Sequence, residues 1–407
     1  MHLHTFCEYM GFGEKEADLL KPFWQELLAE TKESGIPLFM CEEFFRKYYT
    51  LCDGPLEAYQ YIGEIIEKIK NDPLSARYAA MLHYGNYLAE PQMPLRYLPL
   101  PEKHFGDKAC VFQMMTALSS LPLIEEKYHL LGVEENIFSA FCRGFGENVR
   151  RYMKNHGNIP GYGSAIHWFR HHADGRLFRL GRLEFMTELW RTIHPAAYRN
   201  KENGKICLLC QNGWLFDKEG LLVTKRKNAV FESRLLTDEK SITGTAFDEE
   251  GYPVTDHKVT LLLSQWECVA TPWDLMLDVH IPAGENLKME DCRNSFIMAK
   301  EFFRRIFKME VKAFRCGSWL LNPDFAREMP ESNMAKFQKN VHLGPISASP
   351  GNGLYFVYGR ADADPLKLPA TTSLHKVFRK FAENNTVLKN GMMTLLAEEA
   401  ETFGLKK

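Results

Sequence analysis

The sequence lacks the marks of several common protein classes. Its 50 lysines and arginines face 52 aspartates and glutamates, a formal net charge of −2, so the basic excess that holds nucleic acid is missing. The densest basic run, Lys225-Arg226-Lys227, is no longer than an ordinary solvated loop. No stretch reaches the roughly 18 uninterrupted apolar residues of a membrane span. The first ten residues also lack the basic start and apolar core of a secretion signal. Ten cysteines are scattered without the density or even spacing of a disulfide framework. These absences predict a reduced, cytoplasmic, unprocessed chain whose partners include neither nucleic acid nor membrane.

Several catalytic signatures are missing as well. No Gly-x-x-x-x-Gly-Lys-Ser/Thr loop occurs, and Gly144-Phe145-Gly146 and Gly161-Tyr162-Gly163 lack the later glycine of a dinucleotide fingerprint. The sharp Gly-x-Ser-x-Gly elbow of serine hydrolases is not found. His167 and His171 stand at i and i+4, a spacing that can hold one face of a zinc ion, but the Glu of His-Glu-x-x-His and a third ligand are not evident. No metal is expected, and stoichiometric zinc in the purified protein would revive a metal-hydrolase reading. Cys207-Leu208-Leu209-Cys210 has no second pair, and on a strand its two thiols would point to opposite faces, which favours a buried strand over a redox site.

What is present is an ordinary globular composition, 45% apolar and 25% charged over 407 residues, enough for two or three domains with cores of their own. The first 155 residues carry helical periodicity. Leu20, Phe23, Trp24, Leu27 and Leu28 fall on one face, as do Tyr59, Ile62, Ile65, Ile66 and Ile69, and then Ile137, Phe138, Phe141, Phe145, Val149 and Tyr152. The turn-rich stretch from His156 to Gly163 marks a boundary, giving a helical domain over 1–155 and a second domain over 156–407.

In the second domain short β-type runs dominate. Leu177 to Met186 reads as a strand, Lys205 to Cys210 and Trp214 to Phe216 as a hairpin across Asn212-Gly213, and Val259 to Leu263 as another strand. Trp273 to Ile281 reads as a strand, Met289 to Phe307 as an amphipathic helix, and Val311 to Trp319 as a strand that the crossover makes parallel to the first. Leu354 to Tyr358 reads as a late strand, and helical patterns surround Leu374 to Phe381 and Met392 to Phe403. A strand feeding the Pro282-Ala283-Gly284 turn and a helix N-terminus is a physical site for a pyrophosphate, although an ordinary βαβ packing unit has the same outline.

Five phrases occur in an order that resembles a known family: Gly181-Arg182-Leu183-Glu184-Phe185, His280-Ile281-Pro282-Ala283-Gly284, Phe302-Phe303, Ser318-Trp319-Leu320-Leu321, and Ser332-Asn333-Met334 with Phe337-Gln338. They resemble the two-domain bacterial acyltransferase-like family, which joins a helical acyltransferase N-terminal domain to a GNAT-like C-terminal domain. The resemblance implies an α+β chain, helical first and then a GNAT-like mixed-sheet α/β domain, in which two central parallel strands part to admit the pantetheine arm of acyl-coenzyme A. It implies acetyl-CoA or another acyl-CoA as co-substrate, with Val279, Ile281, Ala283, Gly284, Asn286, Leu287 and Ser318 as its contacts. The chain departs from the family's glycine-rich pyrophosphate turn, keeping only Gly284, followed by the acidic Glu285 and preceded by Pro282, which has no N–H.

The implied reaction is transfer of the acyl group to the amine of a small-molecule acceptor. It needs a base for the amine, a polarised carbonyl and a leaving thiolate, and proximity removes the need for a covalent nucleophile. Glu184 and His280 are the base candidates, Tyr358 is the acid candidate, and Cys316 reads as a buried thiol. The competing class is a non-catalytic ligand-binding or interaction protein that kept the fold and lost the cofactor turn. No sequence feature specifies an oligomeric state.

Overall fold

The computed structural model describes residues 1–31, 35–187, 194–282, 284 and 286–405. The chain divides into two units, one formed by Met1–Arg179 with Pro282–Gly284, the other by Leu180–Ile281 with Glu285–Lys407. Among the described residues no helix is long and apolar enough to cross a membrane, and all ten cysteines are free thiols.

The first unit is helical through Phe169–Ala173. Its axis is Ala109–Leu118, whose ten residues are all buried, as an all-round apolar helix must be. Phe112 on that helix stacks on Tyr78 at 5.9 Å and on Phe105 at 4.7 Å. Ala58–Lys70 and Glu135–Asn155 follow the periodicity of their apolar residues. His172, next in sequence to His171, is buried against Phe141, and its Nδ1 lies 3.0 Å from the Tyr128 hydroxyl.

The second unit is built on a mixed sheet. From one side it runs Leu183–Thr187, Met276–His280, Ala313–Ser318, Lys389–Leu396, His342–Ala348, and then the short strands Leu222–Val223, Leu215–Phe216 and Phe231–Glu232. Met276–His280 and Ala313–Ser318 are parallel and joined by the helix Met289–Phe307, as the crossover pattern predicts. That helix packs on one face of the sheet, where Phe296 meets Phe185 at 5.9 Å and Phe314 at 4.8 Å. A small sheet of Trp266–Ala270, Ala196–Asn200 and Ile206–Leu209 covers part of the other face, with Ala197 and Leu208 packed on Met276, Ala313 and Leu396.

Four local expectations differ from the structure. Leu177 to Met186 is two strands, Leu177–Leu180 and Leu183–Thr187, because Gly181 turns the chain at φ +70°; a Cβ there would also meet Ser295 Oγ at 2.8 Å. The hairpin across Asn212-Gly213 does not form. Ile206–Leu209 pairs instead with Ala196–Asn200 across the nearer turn ending at Gly204, and Leu215–Phe216 pairs with Leu222–Val223 and Phe231–Glu232. Residues Asn352–Tyr358 form a helix, since Leu354, Val357 and Tyr358 repeat at i, i+3, i+4 and face an aromatic cluster while Tyr355 and Phe356 stay exposed. Lys389–Leu396 is a strand rather than a helix. As an interior strand it is covered on both faces, which erases the two-residue alternation from its sequence.

Candidate active site

The two central strands pair in register only at Met276 with Ala313, Leu277 with Phe314, and Asp278 with Arg315. Beyond that point each keeps its outer neighbour. His280 remains opposite Glu184, and Ser318 remains opposite Gly391. The parallel pair therefore opens into a fork after Asp278 and Arg315. Its inner edges, Val279 to Ile281 on one side and Cys316 to Ser318 on the other, lie outside the ladder that joins the two strands. Backbone groups at such edges need partners, and an extended ligand with amides of its own can supply them.

Side chains alternate along the strands, so the register assigns them to faces. Val279 turns with Phe185 and Phe314 toward the crossover helix. Glu184, Asp278, His280 and Arg315 share the opposite face. Glu184 and His280 are direct cross-strand partners, which puts their Cβ atoms about 4.5–5.5 Å apart. Burial holds the His280 imidazole below its ordinary pKa, with Asp278 opposing that shift, so the uncharged ring predominates at neutral pH.

Arg315, at the apex of the fork, is buried at 2% exposure and forms a two-point pair with Asp278: Nε donates to Oδ1, and Nη2 donates to Oδ2 at 2.9 Å. His194 is buried on the same side, close enough for Arg315 to disfavour and Asp278 to favour its charge, and burial brings it down to about 4. Asp278, Arg315 and His194 were not among the candidates drawn from the sequence. A lone Asp and a lone Arg inside two apolar strands flanking one crossover helix would have been the signal for the first two.

The expected cofactor contacts fall at several places. Val279 is buried, and Ile281 follows it at the open end of the fork. Ser318 ends the second fork strand, and its hydroxyl accepts the Leu320 N–H at 3.2 Å, which leaves its backbone as the part facing the opening. The Asn286 carbonyl accepts from Arg182 Nε at 3.3 Å and from the Lys288 N–H at 3.0 Å, and Leu287 lies between them in sequence. Arg182 is itself buried, and its backbone N–H donates to Ser295 Oγ at 2.8 Å. It adds a cation beside the loop that leads into the helix Met289–Phe307, where Glu290 and Asp291 occupy the first turn. Gly284 has φ +117° and belongs to the first unit, its Cβ position 4.0 Å from Glu147 Cβ. Ala283 lies outside the described residues.

Tyr358 is placed elsewhere. It ends the helix Asn352–Tyr358, stacks on His375 at 4.9 Å, and joins Trp319, Phe325 and Phe378 in the aromatic cluster, where burial raises its pKa. Cys316 is buried and its thiol is pushed up to about 12, which disfavours the thiolate needed of a nucleophile. Among the described residues no group of three or more potential metal ligands converges. A cavity of about 590 Å³ opens further along the sheet, lined by Ile206, Phe247, Asp248, Gln338 and His342 among others, and includes none of the fork residues.

The two histidines brought down to about 4 predict acid sensitivity. His194 is buried and His83 half-buried, both uncharged, whereas in the unfolded chain each titrates near 6.5. The stability this gives is whole above pH 6.5 and is lost as pH falls toward 4. For each group the interval amounts to roughly 3 kcal/mol. Denaturant melts at pH 7 and pH 4.5 should show the loss, and His194→Gln should reduce it.

No curated protein matches the chain. Solved structures do: an acyltransferase in complex with decanoyl-CoA and teicoplanin aligns with 98% of this chain and 100% of its own at 17% identity and a TM-score of 0.63. An acyltransferase mutant in complex with octanoyl-CoA aligns over 97% of this chain and 99% of its own, with 18% identity and a TM-score of 0.64. At these identities the likeness is one of fold. Residues 177–393, more than half of the chain, match the family described as the GNAT-like C-terminal domain, and the chain belongs to that family.

Proposed function

We propose that the chain is an acyltransferase that moves an acyl group from a coenzyme A thioester to the amine of a small molecule. The observation that carries this is the fork, which opens after Asp278 and Arg315 with Glu184 and His280 on one of its faces. Family membership and the acyl-CoA complexes of the structural neighbours support the same donor. In this reading the main chains of Val279, Ile281, Cys316 and Ser318 line the pantetheine arm. Arg182 and the Asn286-Leu287 loop meet the phosphates.

His280, uncharged, takes the proton of the attacking amine, and Glu184 opposite it orients the ring and stabilises the imidazolium. The amine lone pair forms the C–N bond while the carbonyl electrons move onto oxygen. Their return breaks the C–S bond, and the departing thiolate takes the proton from His280. No oxidant or metal enters this balance.

Titration calorimetry with coenzyme A, acetyl-CoA, octanoyl-CoA and decanoyl-CoA tests the donor, and mass spectrometry of reactions with teicoplanin and simpler amines tests the transfer. Saturable binding of at least one acyl-CoA and an acylated amine are the expected results. No binding at millimolar ligand would leave a GNAT-like fold that serves as a ligand-binding or interaction protein instead.

A further inference from the structure

One more buried nitrogen lies near the apex of the fork, close enough to feel the charges of Arg315 and Asp278. His194 lies two residues before the strand Ala196–Asn200, whose Ala197 packs on Met276 and Ala313, on the sheet face that carries Asp278, His280 and Arg315. It is 5% exposed, and among the described residues its Nδ1 has no hydrogen-bond partner. Its main chain is tied down, the carbonyl accepting from Gln211 Nε2 at 3.1 Å. A polar atom held in place without a partner costs stability, and active sites are where such costs collect.

Resting on the acyltransferase reading of the fork, we infer that His194 is a catalytic residue that donates its Nδ1–H to the thioester carbonyl oxygen and stabilises the oxyanion. Three features support this. At the apex Asp278 already accepts from two donors of Arg315, whereas the neighbouring imidazole offers a buried nitrogen that, among the described residues, has no partner and can meet a developing negative oxygen. Burial and Arg315 keep His194 uncharged at neutral pH, so it polarises the carbonyl by a hydrogen bond without competing for the amine proton that His280 accepts. A neutral imidazole of this kind is a known electrophile in carbonyl chemistry.

The step balances without moving a proton at His194. The carbonyl π electrons shift to oxygen as the C–N bond forms, the Nδ1–H holds that oxygen, and the electrons return when the C–S bond breaks. The amine proton passes through His280 to the thiolate.

The test compares the wild type with His194→Ala and His194→Gln, the second keeping an N–H donor. Expected for His194→Ala is a fall in kcat of about 10²–10³-fold, with the KM for acyl-CoA little changed and partial recovery in His194→Gln. Isotope-edited infrared spectra of bound acetyl-CoA labelled at the thioester carbonyl should show the band at lower frequency than in water, and that displacement should be lost in His194→Ala. Wild-type kcat in His194→Ala overturns the assignment, and so does an undisplaced carbonyl band in the wild type, a readout that does not depend on the alanine variant folding. Failure of the wild type to bind any acyl-CoA overturns the acyltransferase reading itself. Binding and turnover without the carbonyl displacement remove only the role of His194.

Discussion

His280→Ala lowers kcat by about 10²–10⁴-fold, the range expected for a general base, while calorimetry still shows acyl-CoA binding. The binding should survive because the proposed coenzyme A contacts are main-chain groups of the fork edges together with Arg182, and none of them is the imidazole. Glu184→Gln keeps the shape of the cross-strand pair with His280 but removes the charge that stabilises the imidazolium. It should therefore lower kcat by a smaller factor and move the basic group's apparent pKa in the rate profile downward, because losing a neighbouring carboxylate disfavours the protonated ring. Turnover unchanged in both variants would reject the pair as the proton acceptor.

Asp278→Ala should unfold the second unit far more easily, by about 3–5 kcal/mol, because it takes the Asp278 carboxylate away from two donors of the buried Arg315 guanidinium. Thermal melts with far-ultraviolet detection measure the loss. The double variant Asp278→Leu with Arg315→Met should recover much of it, since replacing both partners of a buried pair by apolar groups is often neutral. A single variant as stable as the wild type would show that the pair does not carry the apex of the fork. The double variant also separates stability from chemistry, because it restores the core while removing the charges beside His194.

The parallel strands and their crossover were legible in the sequence because each is a local pattern. Met276–His280 ends an apolar run, and Met289–Phe307 shows Cys292, Phe296, Ala299 and Phe303 on one stripe. Glu184 and His280 were each visible as a titratable group on a strand. Their opposition was not, since register between strands so far apart in the chain depends on the whole sheet. The segment Asn352–Tyr358 reads as a strand because its aromatic and β-branched residues favour strands intrinsically, and only the cluster of Trp319, Phe325 and Phe378 beneath it selects the helical face. His194 left no local trace. Its meaning comes from the ion pair over which the chain folds it, and no spacing rule links residue 194 to residues 278 and 315.

The strand Lys389–Leu396 lies between Ala313–Ser318 and His342–Ala348, although it follows both in the chain. During synthesis on a ribosome, the wall of the fork formed by Ala313–Ser318 therefore waits with an open edge for a partner that emerges late. Until then it is held to its neighbour by three registered pairs. Exposed edges of this kind recruit other strands, including those of a second nascent chain. The interior insertion makes assembly of the second unit a closing event rather than a stepwise one. Chains interrupted between residues 349 and 388 should accumulate as aggregates or chaperone clients, and supplying residues 389–405 as a separate peptide should rescue them.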